Sequence, residues 1–270
     1  MNHYFIDTHC HLAYMVGKPD AENLTDTDMQ AIAKIVEQAC AAGVTRCITV
    51  GTNHASSRAA LAIAACVDGV YATAAMHPSD EHDAWRDEMV LIDLLVKQRG
   101  PKLIAVGECG LDYHYPNYNK IRQQELFAHH IELAIASGLP LVIHSRDAID
   151  DTLAVLDRYA HKTVRGVFHC FSENGEYARQ IVDRGFLLGI GAPITYPKNN
   201  TLREVVHTIG LEHLVLETDA PFLPPQSKRG QQNSPIYIPL VAEAVAVECG
   251  VPVERVAAIT THNAEKLFSF

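Results

Sequence analysis

The sequence lacks closely spaced cysteine pairs, a targeting segment and a long apolar run. Its seven cysteines are scattered without CxxC spacing, which excludes a disulfide framework and indicates reduced thiols in a cytoplasmic protein. No apolar run approaches the roughly 20 residues that a membrane-spanning helix needs. Residues 1–8 carry neither a basic nor an extended apolar region of the kind that directs export. We therefore expect a cytoplasmic protein that makes no membrane contact.

Positive charge is also scarce. The chain has 22 Lys and Arg residues against 32 Asp and Glu residues, which gives a formal net charge of -10. Because affinity for polyanions comes largely from Lys and Arg, this balance excludes a general nucleic-acid-binding surface. It does not exclude a phosphate-bearing substrate that is held by metal ions and a few local cations.

No internal repeat, low-complexity tract or Ser/Gly linker divides the chain. Its 270 residues are 48% apolar and 20% charged, a composition typical of a globular enzyme. An α/β barrel commonly takes about 250 residues as a single unit. The sequence therefore predicts one domain over residues 1–270, and no feature indicates an obligate protein partner.

Eight short apolar runs have the length and composition of β-strands. They lie at residues 4–6, 44–50, 70–76, 103–106, 139–143, 164–168, 186–190 and 214–216. Segments with helical spacing separate them, such as Met29, Ile32, Ile35 and Val36 before Gly43. This alternation predicts a closed (β/α)8 barrel of the TIM type. A doubly wound open sheet is the rival interpretation, but it would usually place a Gly-rich loop after the first strand, where this chain has DTHCHL.

Metal-binding side chains follow most of these strands. They are His9 and His11 after the first, His77 after the third, Glu108 after the fourth, His144 after the fifth, His169 after the sixth and Asp219 after the eighth. Barrel active sites collect at the C-terminal ends of the strands, so we expect these side chains to meet there. Imidazole and carboxylate together are typical ligands of divalent metal ions such as Zn or Mn.

The spacing of His9 and His11 supports a shared ion, because residues i and i+2 of an extended chain point to the same face. By the same alternation, Cys10, Cys109 and Cys170 should face away from the metal site, since each follows a proposed ligand by one residue. Near the end of the chain, we expect His262 and Asn263 to start the last helix. Its Leu267 and Phe268 would pack on the barrel.

Through these residues, the chain resembles the TatD family of metal-dependent deoxyribonucleases. The resemblance covers nearly the whole sequence, through the segments FIDTHCHL, MHP, VGECGLDY, LVIHSRDA, GVFHCFS, LVLETDAPFLPP, NSP and THNAEKLF. Two departures from the family pattern touch no proposed ligand: Ala75 and Met76 replace a usual glycine, and GIGAP stands where a Ser/Gly-rich stretch is common. They bear on the shape of the substrate cleft.

The resemblance implies a site for two divalent ions, Mg, Mn or Zn. His9, His11 and Asp219 would bind one ion, His144 and His169 the other, and Glu108 would bridge them. A water molecule activated by the ions would attack phosphorus near neutral pH. Glu108 and Asp219 are then the expected catalytic residues, with Asp219 as the general base. The alternative interpretation of Asp219 is an ordinary helix cap, but the preceding Glu217 and the Pro-rich loop that follows fit a site better.

Substrate contacts should come from the same end of the barrel. Arg146 is the strongest candidate for a phosphate contact, although a salt bridge to Asp147 or Asp150 is an equally good interpretation. Two further candidates come from an aromatic loop, Tyr113 and His114, because they lie nearest Glu108 in the sequence. His77 is a candidate by position, with a structural core histidine as the alternative.

The function expected from the resemblance is phosphodiester hydrolysis, with trimming of DNA from single-stranded or 3′ ends. The first alternative is hydrolysis of a small C–N or C–O substrate, because related amidohydrolase barrels use the same metal chemistry. The second is a non-enzymatic interaction subunit, in which loss of metal ligands would be expected. All six proposed ligands are present here.

Overall fold

The computed structural model of the chain describes residues 4–18 and 24–270. Its eight strands are β1 Phe5–Cys10, β2 Val44–Thr49, β3 Val70–Ala74, β4 Leu103–Asp112, β5 Leu141–Arg146, β6 Gly166–Phe168, β7 Leu187–Ile190 and β8 Leu214–Leu216. Each strand pairs in parallel with the next one along the chain. Residues 1–3, on which part of the targeting prediction depends, lie outside the described ranges.

Ten helices connect and cover the strands in the described ranges. They are α1 Leu12–Met15, α2 Asp26–Ala41, α3 His54–Cys66, α4 Trp85–Lys97, α5 Lys120–Ser137, α6 Ile149–Asp157, α7 Gly175–Asp183, α8 Asn200–Ile209, α9 Ile238–Cys249 and α10 Val253–Phe268. Local sequence sets their ends: Thr25 and Asp28 form a capping box at the start of α2. At the C-terminal end of α5, Gly138 adopts a left-handed conformation with φ of 69° that terminates the helix.

Closure of the sheet depends on contacts between β1 and β8. Asp219 N donates to His9 O at 2.9 Å, and His11 N donates to Ala220 O at 2.7 Å. Thr8 Oγ1 adds a bond to Leu216 O at 3.0 Å. The predicted (β/α)8 barrel is thereby confirmed, and β1 and β8 stand side by side at its seam.

The end of the barrel that holds the N-terminal ends of the strands is covered by α10. Leu267 and Phe268 are buried there in an apolar cluster that includes Ile6 and Ile104. Arg165, just before β6, donates to Leu267 O at 2.6 Å. This covering leaves the opposite end, where the strands finish, to carry the polar residues.

The prediction that His262 and Asn263 start the last helix is wrong. The helix begins at Val253, directly after Pro252, which is its N-cap. Both residues lie in the body of α10. The amide of Asn263 donates to Leu211 O and Leu214 O, each at 2.8 Å, and so ties α10 to the start of β8. Because the helix begins directly after Pro252, it is longer than a helix that starts at His262 would be.

No single helix of residues 4–18 and 24–270 is both long enough and apolar enough to cross a bilayer. By length and composition, only a pair of helical segments bent by 110°, Pro235–Cys249 and Val253–Phe268, passes the test together.

Candidate metal centre

The first group of donor atoms lies at the seam of the barrel. His9 belongs to β1, His11 follows that strand and Asp219 follows β8. The Nε2 atoms of His9 and His11 are 3.2 Å apart, as expected for residues i and i+2 of an extended chain. Asp219 Oδ1 lies 3.3 Å from His11 Nε2 and 3.7 Å from His9 Nε2. These three residues form the β1–β8 cluster, whose donor atoms can hold one metal ion.

Main-chain hydrogen bonds fix this cluster. The buried carboxyl group of Asp7 accepts bonds from His9 N at 3.2 Å and from Thr218 N at 3.0 Å. Thr218 Oγ1 lies 2.6 Å from the other oxygen of Asp7. Burial raises the pKa of Asp7 to about 8, against the opposing effect of these hydrogen bonds. Asp7 therefore joins the backbones that carry His9 and Asp219, on opposite sides of the seam.

The second group comes from the opposite wall of the barrel. His144 lies in β5, and His169 directly follows β6. Their facing nitrogens, His144 Nδ1 and His169 Nε2, are 3.1 Å apart. We call this pair the β5–β6 cluster. His77, which follows β3, approaches it, with ring centres of His77 and His144 4.5 Å apart.

Glu108 of β4 stands between the two clusters. Its Oε2 atom lies 3.3 Å from His9 Nε2 and 3.8 Å from His11 Nε2. Its Oε1 atom lies 2.9 Å from His144 Nδ1 and 2.7 Å from His169 Nε2. His77 Nε2 is 3.4 Å from the same Oε1 atom. One carboxylate thus presents one oxygen to each cluster.

Two carboxylates behind the β5–β6 cluster were not predicted as functional. Asp112 Oδ2 lies 3.0 Å from His144 Nε2, and Glu217 Oε1 lies 3.7 Å from His169 Nδ1. Carboxylates in this position orient metal-binding histidines and fix their tautomers. Gly189 makes the room that Glu217 needs, since a Cβ atom there would collide with Glu217 Oε2. A sequence signal for Asp112 existed, because Asp112 is four residues beyond Glu108 on β4 and shares its face.

Ionisation in the centre follows from burial and from close opposite charges. Burial favours the protonated form of Glu108, but the histidines around it, led by His169, hold its pKa well below the usual range. For Asp219, burial again raises the pKa, and hydrogen bonding to His11 with the charge of His9 more than reverses this. In His144, the effect of burial is outweighed by Asp112 and Glu108, which raise the pKa. The carboxylates are therefore ionised and ready to bind a cation.

Four buried polar atoms within the described ranges have no hydrogen-bond partner. They are Nδ1 of His9, His11 and His169, and Oε2 of Glu217. Buried polar atoms are normally satisfied, so clusters of exceptions call for an explanation. The donor set, with imidazole nitrogens and carboxylate oxygens converging, fits divalent metal ions.

A cavity of about 780 Å³ opens over this centre. His11, Glu108, His144, His169 and Asp219 form its floor. Its rim includes Tyr14, Tyr115, Arg146, Tyr196, Phe222 and Leu223. The cavity falls within the size range of ligand sites, and it exposes both donor clusters to one bound molecule.

Comparison with known proteins assigns the chain to a family. Residues 6–269 match the family described as TatD related DNase. This chain belongs to the TatD family. Its sequence is 36% identical over 262 residues to an uncharacterized metal-dependent hydrolase, YabD of Bacillus subtilis, covering 97% of this chain and 98% of that protein. The chain is thus a metal-dependent hydrolase of this family.

Two further TatD relatives extend the comparison. One protein named 3′-5′ ssDNA/RNA exonuclease TatD, from Citrobacter rodentium, is 32% identical over 244 residues, which covers 87% of this chain and 90% of that one. The crystal structure of the TatD homologue YJJV from Escherichia coli superposes with a TM-score of 0.89 at 29% identity and covers 100% of both chains. Sequence and fold therefore agree on the family.

Of the substrate-binding residues predicted for this TatD-family chain, His77 and Arg146 line the cavity. The alternative salt bridge of Arg146 is not seen, because Asp147 contacts His114 and Asp150 accepts a bond from Tyr177. Arg146 is exposed and forms no salt bridge with any residue of the described ranges. It instead places its guanidinium 5.6 Å from the ring centre of Tyr115.

Tyr113 and His114 do not reach the cavity. Glu108, Gly110 and Asp112 face one side of β4, so Tyr113 turns to the other side. There its ring stacks on Tyr118, with ring centres 4.5 Å apart. The Nδ1 atom of His114 lies 2.9 Å from Asp147 Oδ2. The loop offers the cavity Tyr115 instead, a residue that nearness in sequence did not select.

The three cysteines beside the ligands divide into two kinds. Cys10 and Cys109 are buried and donate to Ile48 O and Val142 O at 3.4 and 3.6 Å, as expected for residues that face away from the centre. Cys170 does not follow the prediction, because it lines the cavity. Its φ of 45° breaks the extended alternation just after β6. No cysteine of the described ranges belongs to a donor cluster.

Proposed function

We propose that this chain is a divalent-metal-dependent phosphodiesterase that removes nucleotides from the 3′ ends of single-stranded DNA. One observation carries the proposal: Glu108 presents Oε2 to the β1–β8 cluster and Oε1 to the β5–β6 cluster. A carboxylate shared in this way suits a site for two divalent ions, Mg, Mn or Zn. His9, His11 and Asp219 would hold one ion, His144 and His169 the other, and Glu108 would bridge them.

When bound, the ions would supply Lewis-acid chemistry, because a divalent ion can lower the pKa of water from 15.7 to about 7 and neutralise charge on a phosphodiester. Asp219 is the proton acceptor in this proposal. Its Oδ1 atom belongs to the β1–β8 cluster, and its side chain also lines the cavity. Because its pKa lies below the ordinary value despite burial, Asp219 is ionised and can take a proton.

Arg146 binds the phosphate in the proposed complex. It lines the cavity and forms no salt bridge with an acidic residue of the described ranges. On a chain with a net charge of -10, such a cation beside the metal centre gives a polyanion one local point of attraction. His77 reaches Glu108 Oε1 at 3.4 Å, and there it orients the bridging carboxylate or contacts the substrate directly.

The names of two relatives support nucleic acid as the substrate. Two of them, from Citrobacter rodentium and Cronobacter sakazakii, carry the name 3′-5′ ssDNA/RNA exonuclease. A single concave cavity of about 780 Å³ suits the end of a strand. Aromatic residues at its rim suit unpaired bases, whose faces are free for stacking.

A metal-replete assay tests this function. Wild-type protein is given Mg, Mn or Zn and four substrates: 3′-labelled single-stranded DNA, duplex DNA, RNA and a small amide. We expect fastest release of mononucleotides from the single-stranded DNA. Glu108→Ala serves as the inactive control, and Glu37→Ala, an exposed residue of α2, serves as the matched surface control. Cleavage of the amide without cleavage of any nucleic acid would contradict the proposal.

A further inference from the structure

Two large apolar side chains project into solvent at the edge of the cavity. Phe222 and Leu223 are 46% and 40% exposed, and both line the cavity next to Asp219. We call them the apolar lip. Exposed apolar residues beside a ligand site are a common mark of a binding surface. The lip is therefore placed to contact a part of the substrate that lies next to the bond to be cleaved.

The fold holds the lip in place with a buried side chain. Asn233 is fully buried, and its Nδ2 atom lies 2.7 Å from Thr218 O, 2.6 Å from Phe222 O and 3.3 Å from Leu223 O. Asn233 N donates to Pro221 O at 3.0 Å. Leu223 has a φ of 51°, a left-handed conformation that a leucine rarely adopts. Strain of this kind persists where surrounding bonds impose it, and it is concentrated at functional sites.

The lip continues inward to the metal centre through aromatic rings. The ring centre of Phe222 lies 6.0 Å from that of Tyr14 and 5.9 Å from that of the metal-binding His11. Tyr14 in turn lies 5.2 Å from His11. A flat apolar ligand on the lip would therefore sit directly beside the β1–β8 cluster.

A cation–aromatic pair occupies the opposite part of the rim. Arg146 is the last residue of β5, and Tyr115 follows β4. These two strands lie across the barrel from β1 and β8 in the strand order. The cavity thus combines an apolar platform on one side with a positive charge on the other. A nucleotide has the matching combination of a flat base and a phosphate.

We propose that the apolar lip stacks on the 3′-terminal base of a single strand and thereby selects unpaired ends. This inference rests on the proposed function. In a duplex the terminal base is held by its partner strand, so only an unpaired base can turn onto Phe222. Asn233 is a positioning residue that holds the lip in the stacking conformation. The segment NSP at residues 233–235, for which the resemblance implied no contact, gains a role in this way.

A double-substitution cycle, in which the side chain at position 222 and the 3′-terminal base are each removed, tests the lip. Wild type and Phe222→Ala are compared on single-stranded oligonucleotides that carry either a normal or an abasic 3′-terminal residue. Stacking on an aromatic side chain corresponds to about a 5- to 150-fold effect on binding. We expect wild type to favour the normal end by such a factor, mainly through KM, and Phe222→Ala to lose this preference.

Further variants separate stacking from a structural effect. Phe222→Trp keeps a flat ring and should retain the preference. Leu223→Asn keeps a residue that tolerates the left-handed conformation but removes the apolar surface, and it should weaken the preference. Val247→Ala removes an exposed apolar side chain on α9, remote from the cavity, and serves as the control.

The outcomes distinguish the two proposals. If Phe222→Ala is folded, cleaves DNA and still prefers the normal end by the wild-type factor, the lip proposal fails and the proposed function stands. Loss of the preference in Phe222→Trp as well would also contradict stacking. If the metal-replete wild type cleaves no oligonucleotide at all, the proposed function fails and the lip proposal fails with it.

Discussion

The two donor clusters of the metal centre are built in different ways. The β1–β8 cluster is held through the backbone of its ligands. The side chain of Asp7 accepts a bond from Thr218 N, and Asp219 N donates to His9 O. Side-chain carboxylates support the β5–β6 cluster, where Asp112 contacts His144 and Glu217 lies near His169. The β5–β6 cluster should therefore lose metal affinity when a carboxylate beside its histidines is removed, and the β1–β8 cluster should keep its metal affinity in the same variant.

The substitution Glu108→Ala should have the largest effect, because it removes the oxygen atoms presented to both clusters. We expect kcat/KM on single-stranded DNA to fall by at least about 10⁴-fold, since each ion supplies several kcal/mol of transition-state stabilisation. Metal content, measured by mass spectrometry, should fall with it. A variant that keeps two bound ions would show that Glu108 is not shared between the clusters.

The substitution Asp219→Asn acts on the β1–β8 cluster alone. It retains the shape of the side chain but removes the charge and the ability to accept a proton, so kcat should fall by about 10³-fold, within the range for general acid–base catalysis. Steady-state kinetics at saturating metal measure this effect. Full turnover with both ions bound would rule out Asp219 as the base.

The substitution Asp112→Asn acts on the β5–β6 cluster alone, through His144. Loss of a carboxylate that orients a metal-binding histidine typically weakens metal binding by about 10- to 100-fold. Calorimetric titration with Mn²⁺ should therefore show one weakened step and one unchanged step. The surface pair Asp93 and His129, 3.0 Å apart, supplies the matched control Asp93→Asn. Equal weakening of both steps would mean that the clusters are not independent.

The last effect is on the stability of the fold and concerns His130, which packs outside both clusters. Its Nε2 atom accepts a hydrogen bond from Met76 N, and burial, with the neighbouring charge of His129, lowers its pKa to about 3. The neutral form stabilises the fold fully above the unfolded pKa of about 6.5, and this contribution is lost as pH falls towards 3. Relative to His130→Gln, wild type should lose up to about 1.4 kcal/mol of unfolding free energy per pH unit over that window. Parallel pH profiles from denaturant unfolding would contradict this.

Much of the barrel and of the donor set could be predicted from the sequence. Eight apolar runs gave the strands, and the rule that barrel sites lie at strand ends brought together His9, Glu108 and His144 although more than 130 residues separate the first from the last. The His-x-His spacing was sufficient to place both imidazoles on one side of β1. The single domain over residues 1–270 and the roles of these residues in catalysis stay predictions.

What the sequence could not supply depends on contacts between distant segments. Glu217 lies near His169, which follows another strand, so no local spacing marks Glu217. Asp112 shares a face of β4 with Glu108, but its contact with His144 of β5 depends on the fold. Tyr113 was chosen for its nearness to Glu108, but the alternation of β4 turns it outward. Tyr115 lines the cavity because the chain bends after β4 and no longer follows that alternation. Cys170 enters the cavity because the backbone leaves the extended conformation there. Each difference arises where a strand ends and its alternation stops.

The central claim is that Glu108 bridges two ions, and diffraction from crystals grown with Mn²⁺ tests it most directly. An anomalous difference map should show two peaks about 3.5–4 Å apart, one on each side of the Glu108 carboxylate. The peak near Oε2 should also contact His9, His11 and Asp219, and the peak near Oε1 should contact His144 and His169. A single peak, or two peaks of which only one touches Glu108, would contradict the account.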